Sequence, residues 1–392
     1  MGTLARYAVA CAAAGSIAAI TAIPSSAATW SITPTPGADL SYFSGVTATS
    51  STNAWAVGAA YDFSLGAQRS LIARWNGTSW SRVSSPNGSQ LYNELYAVDA
   101  VSPTNALALG SVETAHGING GGDGPKKSAV WQWNGSTWRI VDLPSAPTTP
   151  AATGLDMLSA TDAWAVGSYY ESLNPVTHTS PYMAHWNGTT WTRVEAPAPG
   201  NYQNGANAVA GSSPSDVWAV GSWRNKGKTE VYHPLVLHWN GTAWSQTPIP
   251  DPVGGVGGTL SGVTAISPTD AWAVGYKDYK TPTSFHWNGT AWSEVTMPPL
   301  GGVTNNFTYS VSGSATGGVY AVGYTSAQAV NPEVLIEKWN GTAWQVESVS
   351  TPSGGLLRAV SASNGLWAVG YRNAFTNEGA FTNRTLAMRG SG

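Results

Sequence analysis

Seven times along the chain a short run alternates bulky apolar residues with Ala or Gly. Its clearest form is Ala-Trp-Ala-Val-Gly, centred on Trp55, Trp164 and Trp272, with Val217 replacing the first Ala before Trp218 and Leu366 before Trp367. Leu107 and Tyr320 hold the same place in two divergent copies. A period of two predicts a strand with one bulky and one small face. A second motif, Trp-Asn-Gly-x-x-Trp, pairs Trp75 with Trp80, Trp133 with Trp138, Trp186 with Trp191, Trp239 with Trp244, Trp287 with Trp292 and Trp339 with Trp344. Asn-Gly between apolar runs predicts a two-residue hairpin turn with positive φ at both positions. Trp75 would then face Thr78, with Trp80 diagonally across on the same face.

Each repeat, about 50 residues long, reads as four strands. In the fifth copy they are expected over 262–267, 271–276, 284–287 and 291–295. The first connection is a tight turn ending at Asn53, Asn105, Asp162, Asp216, Asp270, Gly318 or Gly365, residue types that tolerate left-handed backbone angles. The seventh copy lacks its Trp-Asn-Gly motif. Near the other end of the chain, Thr29-Trp30-Ser31 matches the strand after that motif, as in Ala243-Trp244-Ser245. The reading is an all-β, seven-bladed β-propeller of four-stranded antiparallel blades, with the N-terminal strand completing the last blade. The bulky face of each blade packs on the small face of the next.

Composition agrees with many short strands and tight turns: 45 Gly and 20 Trp, with only 10% charged residues. A net charge of -3 provides no basic footprint for nucleic acid and no polybasic membrane patch. Residues 1–28 read as a signal peptide, with Arg6 ahead of an apolar stretch and small residues up to a cleavage site after Ala28. The stretch is short for a bilayer span and contains Gly15 and Ser16. A secreted, extracellular protein without membrane insertion is therefore expected, its propeller domain covering 29–392. The single cysteine, Cys11, lies in the leader, so the mature chain would hold no thiol, no disulfide and no cysteine metal ligand.

At these motifs the sequence resembles the broad class of bacterial seven-bladed propellers, with kelch-like blade length. Gly135-Ser136-Thr137-Trp138 resembles the end of the sialidase-type Asp-box, although Trp133 stands where the Asp of the box would fall and the kelch double glycine is absent. The resemblance implies an architecture and names no activity.

Loop lengths separate two faces. The Trp-to-Trp spacing across Asn-Gly is five in all six copies, whereas the preceding spacing is 20, 26, 22, 21, 15 and 19. Binding residues belong on the variable loops of a repeated scaffold, here expected over 59–70, 111–128, 168–181, 222–234, 276–283, 324–333 and 371–385. Of the 20 Trp, 18 occupy repeat positions, which leaves Trp131, on a core strand, and Trp223, beside Arg224 in an expected loop. Tyr276, Tyr324 and Tyr371 follow the repeat Gly where Ser111, Ser168 and Ser222 stand in other blades. Trp223, Arg224, Tyr276, Tyr324, Tyr371, Arg372 and Tyr170 are the candidate ligand-binding residues, since exposed rings beside cations suit sugar stacking or a protein hot spot.

His185, His238 and His286 precede Trp-Asn-Gly in three successive blades, where Arg74, Gln132, Lys338 and Met388 are assigned in the others. Equivalent positions in sheets about 10 Å apart cannot converge on one ion held at about 2.1 Å, so a polar rim role is expected. Asp162, Asp216 and Asp270 read as turn residues. No nucleophile elbow or His-Glu-x-x-His motif is present, and without a mature cysteine a Cys–Tyr cofactor is excluded. No metal, cofactor or catalytic residue is assigned. A pair of acids drawn from Glu113, Asp123, Glu171, Asp278 or Glu378 stays open. The expected function is a non-catalytic extracellular binding propeller for a glycan or protein. The alternatives are a structural subunit of a secreted assembly such as a toxin particle, and a carbohydrate-active enzyme.

Overall fold

A computed structural model of the chain describes residues 28–115, 124–172, 178–227, 231–254, 257–300, 305–326, 332–349, 351, 354–375 and 381–391. The leader reading falls outside them except for Ala28, which is buried beside Tyr320 and Met388. Strand β1 (Thr29–Thr33) leads into blade 1, formed by β2 (Ser41–Ser50), β3 (Asn53–Asp62), β4 (Ala67–Trp75) and β5 (Trp80–Val83). Blade 2 holds β6 (Asn93–Ser102), β7 (Asn105–Glu113), β8 (Lys126–Trp133) and β9 (Trp138–Asp142). Blade 3 holds β10 (Ala151–Ser159), β11 (Asp162–Tyr170), β12 (Thr179–Trp186) and β13 (Trp191–Val194). Blade 4 holds β14 (Gln203–Ser213), β15 (Asp216–Arg224), β16 (His233–Trp239) and β17 (Trp244–Gln246). Blade 5 holds β18 (Gly258–Ser267), β19 (Asp270–Lys277), β20 (Thr281–Trp287) and β21 (Trp292–Val295). Blade 6 holds β22 (Asn305–Ser314), β23 (Gly318–Ser326), β24 (Glu333–Trp339) and β25 (Trp344–Val346). Blade 7 holds β26 (Gly355–Ser361), β27 (Trp367–Phe375) and β28 (Phe381–Ser391).

All seven sheets are four-stranded and antiparallel, and the last is completed by β1 in the order β1-β28-β27-β26. Thr29 pairs with Ser391 and Thr33 with Ala387. The first strands of successive blades touch all the way round, from β2 to β26 and back to β2.

The tryptophans form the seams between blades. Trp55 of blade 1 sits 5.2 Å from both Trp133 and Trp138 of blade 2. Trp164, Trp218 and Trp272 repeat this contact with the Trp pairs of blades 4, 5 and 6. Trp367 closes the ring on Trp75 and Trp80, and Tyr320 meets Trp30 edge-on at 6.0 Å. Each such aromatic pair adds about 0.5–1.5 kcal/mol beyond the area it buries.

The hairpin turns differ from the expectation. Trp75 pairs directly with Trp80 across a four-residue connection, and of Asn76 and Gly77 only the glycine has positive φ. The Asn76 side chain decides this: its Oδ1 accepts the Thr78 and Ser79 amides, both at 2.9 Å. The same arrangement recurs at Asn134, Asn187, Asn240, Asn288 and Asn340. The first turns differ too. Asn53, Asn105, Asp162, Asp216 and Asp270 are outside the left-handed region, and the turn is held by a Ser hydroxyl, as where Ser50 Oγ accepts the Thr52 amide at 3.2 Å.

Strands on the variable face run longer than expected. In blade 5 they begin four residues earlier, at Gly258, and extend to Lys277. Continued pairing satisfies backbone groups that a loop would leave to water. Trp223, Arg224, Tyr276, Tyr324, Tyr371, Arg372 and Tyr170 therefore all lie on strands rather than in loops.

Candidate binding face and central channel

The repeat glycine shapes the channel. A Cβ at Gly58 would overlap the carbonyl oxygen of Tyr42, and Gly110, Gly167, Gly221, Gly275, Gly323 and Gly370 face the equivalent carbonyl in their own blades. Only glycine admits this close approach. Beside it, the ladder between the first two strands slips by one residue in every blade. The slip leaves Ser44, Tyr96, Thr153, Asn207, Ser261, Tyr309 and Arg358 without a ladder partner, and a bulge of this kind re-aims its side chain. All seven line one cavity of about 190 Å³ at the variable-face end of the channel.

Two residues further on, Val46, Val98, Leu155, Val209, Val263, Val311 and Val360 form a collar of one aliphatic side chain per blade, each between 5% and 9% exposed. The same seven line a second cavity of about 530 Å³, which reaches Ser363 and Asn364 on the short-turn face. This half holds Asp99 and Asp156. Asp99 accepts the Thr47 hydroxyl at 2.9 Å and the Met157 amide of the next blade at 2.8 Å, and Asp156 accepts the Gly211 amide at 3.0 Å. They clasp neighbouring blades. Burial pushes both carboxyls up, and the charge of Asp99 adds to the rise at Asp156.

On the variable face the expected aromatic sector is present. The Phe307 ring lies 5.1 Å from Tyr276 and 5.3 Å from Tyr324, and Tyr309 lies 5.9 Å from Tyr324. Phe307, Tyr309, Tyr324 and Tyr371 line a groove of about 460 Å³ together with Asn305, Ser326, Asn373 and Asn383, and among the described residues no charged one lines it. Burial pushes the Tyr309 and Tyr324 hydroxyls up, so both stay neutral donors.

Three of the candidate residues, Tyr276, Tyr324 and Tyr371, are thus brought together. Arg224 borders this sector: its guanidinium lies 4.7 Å from the Tyr232 ring, and Tyr232 and Tyr276 line one small cleft. Trp223 stands on the other face of β15, stacked on His233 at 4.5 Å and packed on the seam with blade 3. Tyr170 is exposed on blade 3, and Arg372 is partly buried and does not line the groove. Phe307, Tyr309 and Arg358 were absent from the candidate set. Six of the seven bulge residues, Tyr309 among them, fall eleven positions before the repeat Trp or its substitute, whereas Arg358 falls nine before Trp367.

The three histidines have a structural role. His185, His238 and His286 bond Asp162, Asp216 and Asp270 at 2.8, 2.7 and 3.0 Å, and stack on Trp164, Trp218 and Trp272 at 4.2–4.5 Å. Arg74 does the same in blade 1, bonding Asn53 over the Trp55 ring. In blade 7 the residue opposite Trp367 is Arg389, not Met388, because pairing with β28 shifts the register by one from the sequence alignment. Among the described residues, no group of three or more His, Cys, Asp or Glu is arranged to hold a metal. Of the acids left open for catalysis, Glu113 accepts the Gly124 amide and Glu171 the Tyr169 hydroxyl. Asp278 is in blade 5, while Asp123 and Glu378 lie outside the described residues.

The chain is a seven-bladed β-propeller with a collared channel and an aromatic groove on its variable face. No protein-family model matches it, and no curated protein matches its sequence. Solved structures share the fold. YCF48 bound to a D1 peptide is 10% identical with a TM-score of 0.52, covering 94% of this chain and 96% of that one. YCF48 from Cyanidioschyzon merolae is 12% identical with a TM-score of 0.53, covering 92% and 98%. At these identities the likeness shows the fold alone.

Proposed function

We propose that the protein is a non-catalytic binding propeller that takes a saccharide in the groove between blades 6 and 7, outside the cell. The observation that carries this reading is the groove's lining: four aromatic rings beside three carboxamides and a hydroxyl, with no charged side chain among the described residues. Rings offer the apolar face of a sugar a surface to stack on, and amides both donate to and accept from its hydroxyls. Secretion rests on the leader-like residues 1–28. A glycan array followed by calorimetry tests the proposal. Tyr324→Ala with Tyr371→Ala should weaken the best array ligand about tenfold or more, with the melting temperature little changed. Unchanged affinity in the double variant overturns the groove assignment. One solved structure of this fold, YCF48, holds a peptide. Binding to peptides with no glycan bound would decide for that class of ligand here.

A further inference from the structure

We infer that the channel mouth beside the groove is an anion subsite, and that the saccharide bound there carries a carboxylate recognised by Arg358. The inference rests on the groove reading and extends it to the class of sugar.

Three observations carry it. First, Tyr309 lines both the groove and the channel mouth, so the two cavities share a wall. A ligand stacked in one reaches the other. Second, among the described residues Arg358 is the sole charged one lining either cavity. Its neighbours in the bulge ring are Ser44, Tyr96, Thr153, Asn207, Ser261 and Tyr309, all neutral. Third, Arg358 has no ion-pair partner among the described residues. Its guanidinium stands 4.9 Å from the Tyr42 ring centroid, which holds its plane without using its donors. The acid on that side, Glu94, is buried and accepts the hydroxyls of Tyr42 and Tyr92.

A guanidinium on an aromatic face with its N–H groups unspent is arranged for a planar, two-oxygen anion. The mouth holds about 190 Å³ above the aliphatic collar. It therefore takes one terminal residue, and a uronate fits both the charge and the hydroxyl-rich wall. The acids Asp99 and Asp156 lie below the collar, in the other half.

The test is calorimetry with an oligogalacturonate and with its methyl ester, which keeps the shape and removes the charge. The wild type should bind the acid on the order of tenfold to a hundredfold more tightly than the ester, as for a charge-assisted hydrogen bond in a sheltered site. Added salt should narrow the gap. Arg358→Gln should bring the acid down to the ester's affinity and leave the ester unchanged. Arg358→Lys, which keeps the charge but not the fork, should restore part of the preference and controls for folding. Equal binding of acid and ester by the wild type overturns the inference and leaves the groove reading standing. So does an acid preference that survives Arg358→Gln. If Tyr324→Ala leaves both affinities intact while Arg358→Gln removes the preference, the subsite stands and the groove reading falls.

Discussion

Glu337 occupies a position that the other blades fill with Ala73, Trp131, Ala184, Leu237, Phe285 and Met388. It is fully buried, and neither carboxylate oxygen has a hydrogen-bond partner among the described residues. Burial pushes its carboxyl up to about 8, from 4.5. The folded protein thus holds this proton more tightly than the unfolded chain. Its stability is intact below about pH 4.5 and erodes as pH rises towards 8, at about 1.4 kcal/mol per pH unit. Glu337→Met should raise the melting temperature at pH 8 and lose most of that advantage at pH 5. An advantage equal at both pH values would show that the carboxyl is solvated. Trp218, which touches Trp287, Trp292 and His238, is the opposite case. Trp218→Ala should cost roughly 3–5 kcal/mol in urea unfolding at any pH, and a cost under 1 kcal/mol would contradict the seam.

Among the connections, the Trp-Asn-Gly loops show where pattern reading stops. A five-residue Trp spacing fits both a two-residue turn with diagonal rings and a four-residue turn with opposed rings. What decides is the Asn carboxamide, which accepts two amides and a hydroxyl in each loop. Asn240→Ala should therefore cost about 1 kcal/mol or more, since two amides lose their acceptor, and a neutral substitution would return the turn to its backbone alone. The bulges show a similar limit. The repeat Gly was evident, but its cause, a carbonyl pressed against its α-carbon, belongs to the three-dimensional ladder. Tyr276, Tyr324 and Tyr371 were readable as a set because they share one register after that Gly. Trp223 sits one residue further along, so strand alternation turns it to the opposite face of its blade. Phe307, Tyr309 and Arg358 lie on first strands, which carry no tryptophan to mark their register.

For the ring as a whole, the missing seventh Trp-Asn-Gly was enough to place the closure, because an unfilled outer strand in one blade and an unassigned strand near Trp30 complement each other. Deleting residues 29–33 should expose the β28 edge and remove Trp30 from Tyr320. A lower melting temperature and self-association should follow, whereas a monomer of unchanged stability would contradict closure by β1. Seven repeats also generate the channel, and it is departure from sevenfold regularity that makes a site. The aliphatic collar is nearly uniform, while the bulge ring above it mixes five residue types and holds a single arginine. The most direct measurement is a crystal structure of the protein with the tightest saccharide from an array. The rings of Tyr324 and Tyr371 should lie within about 4 Å of the sugar, with its acidic end at Arg358. A ligand seated on the short-turn face, or below the collar beside Asp99 and Asp156, would contradict the account.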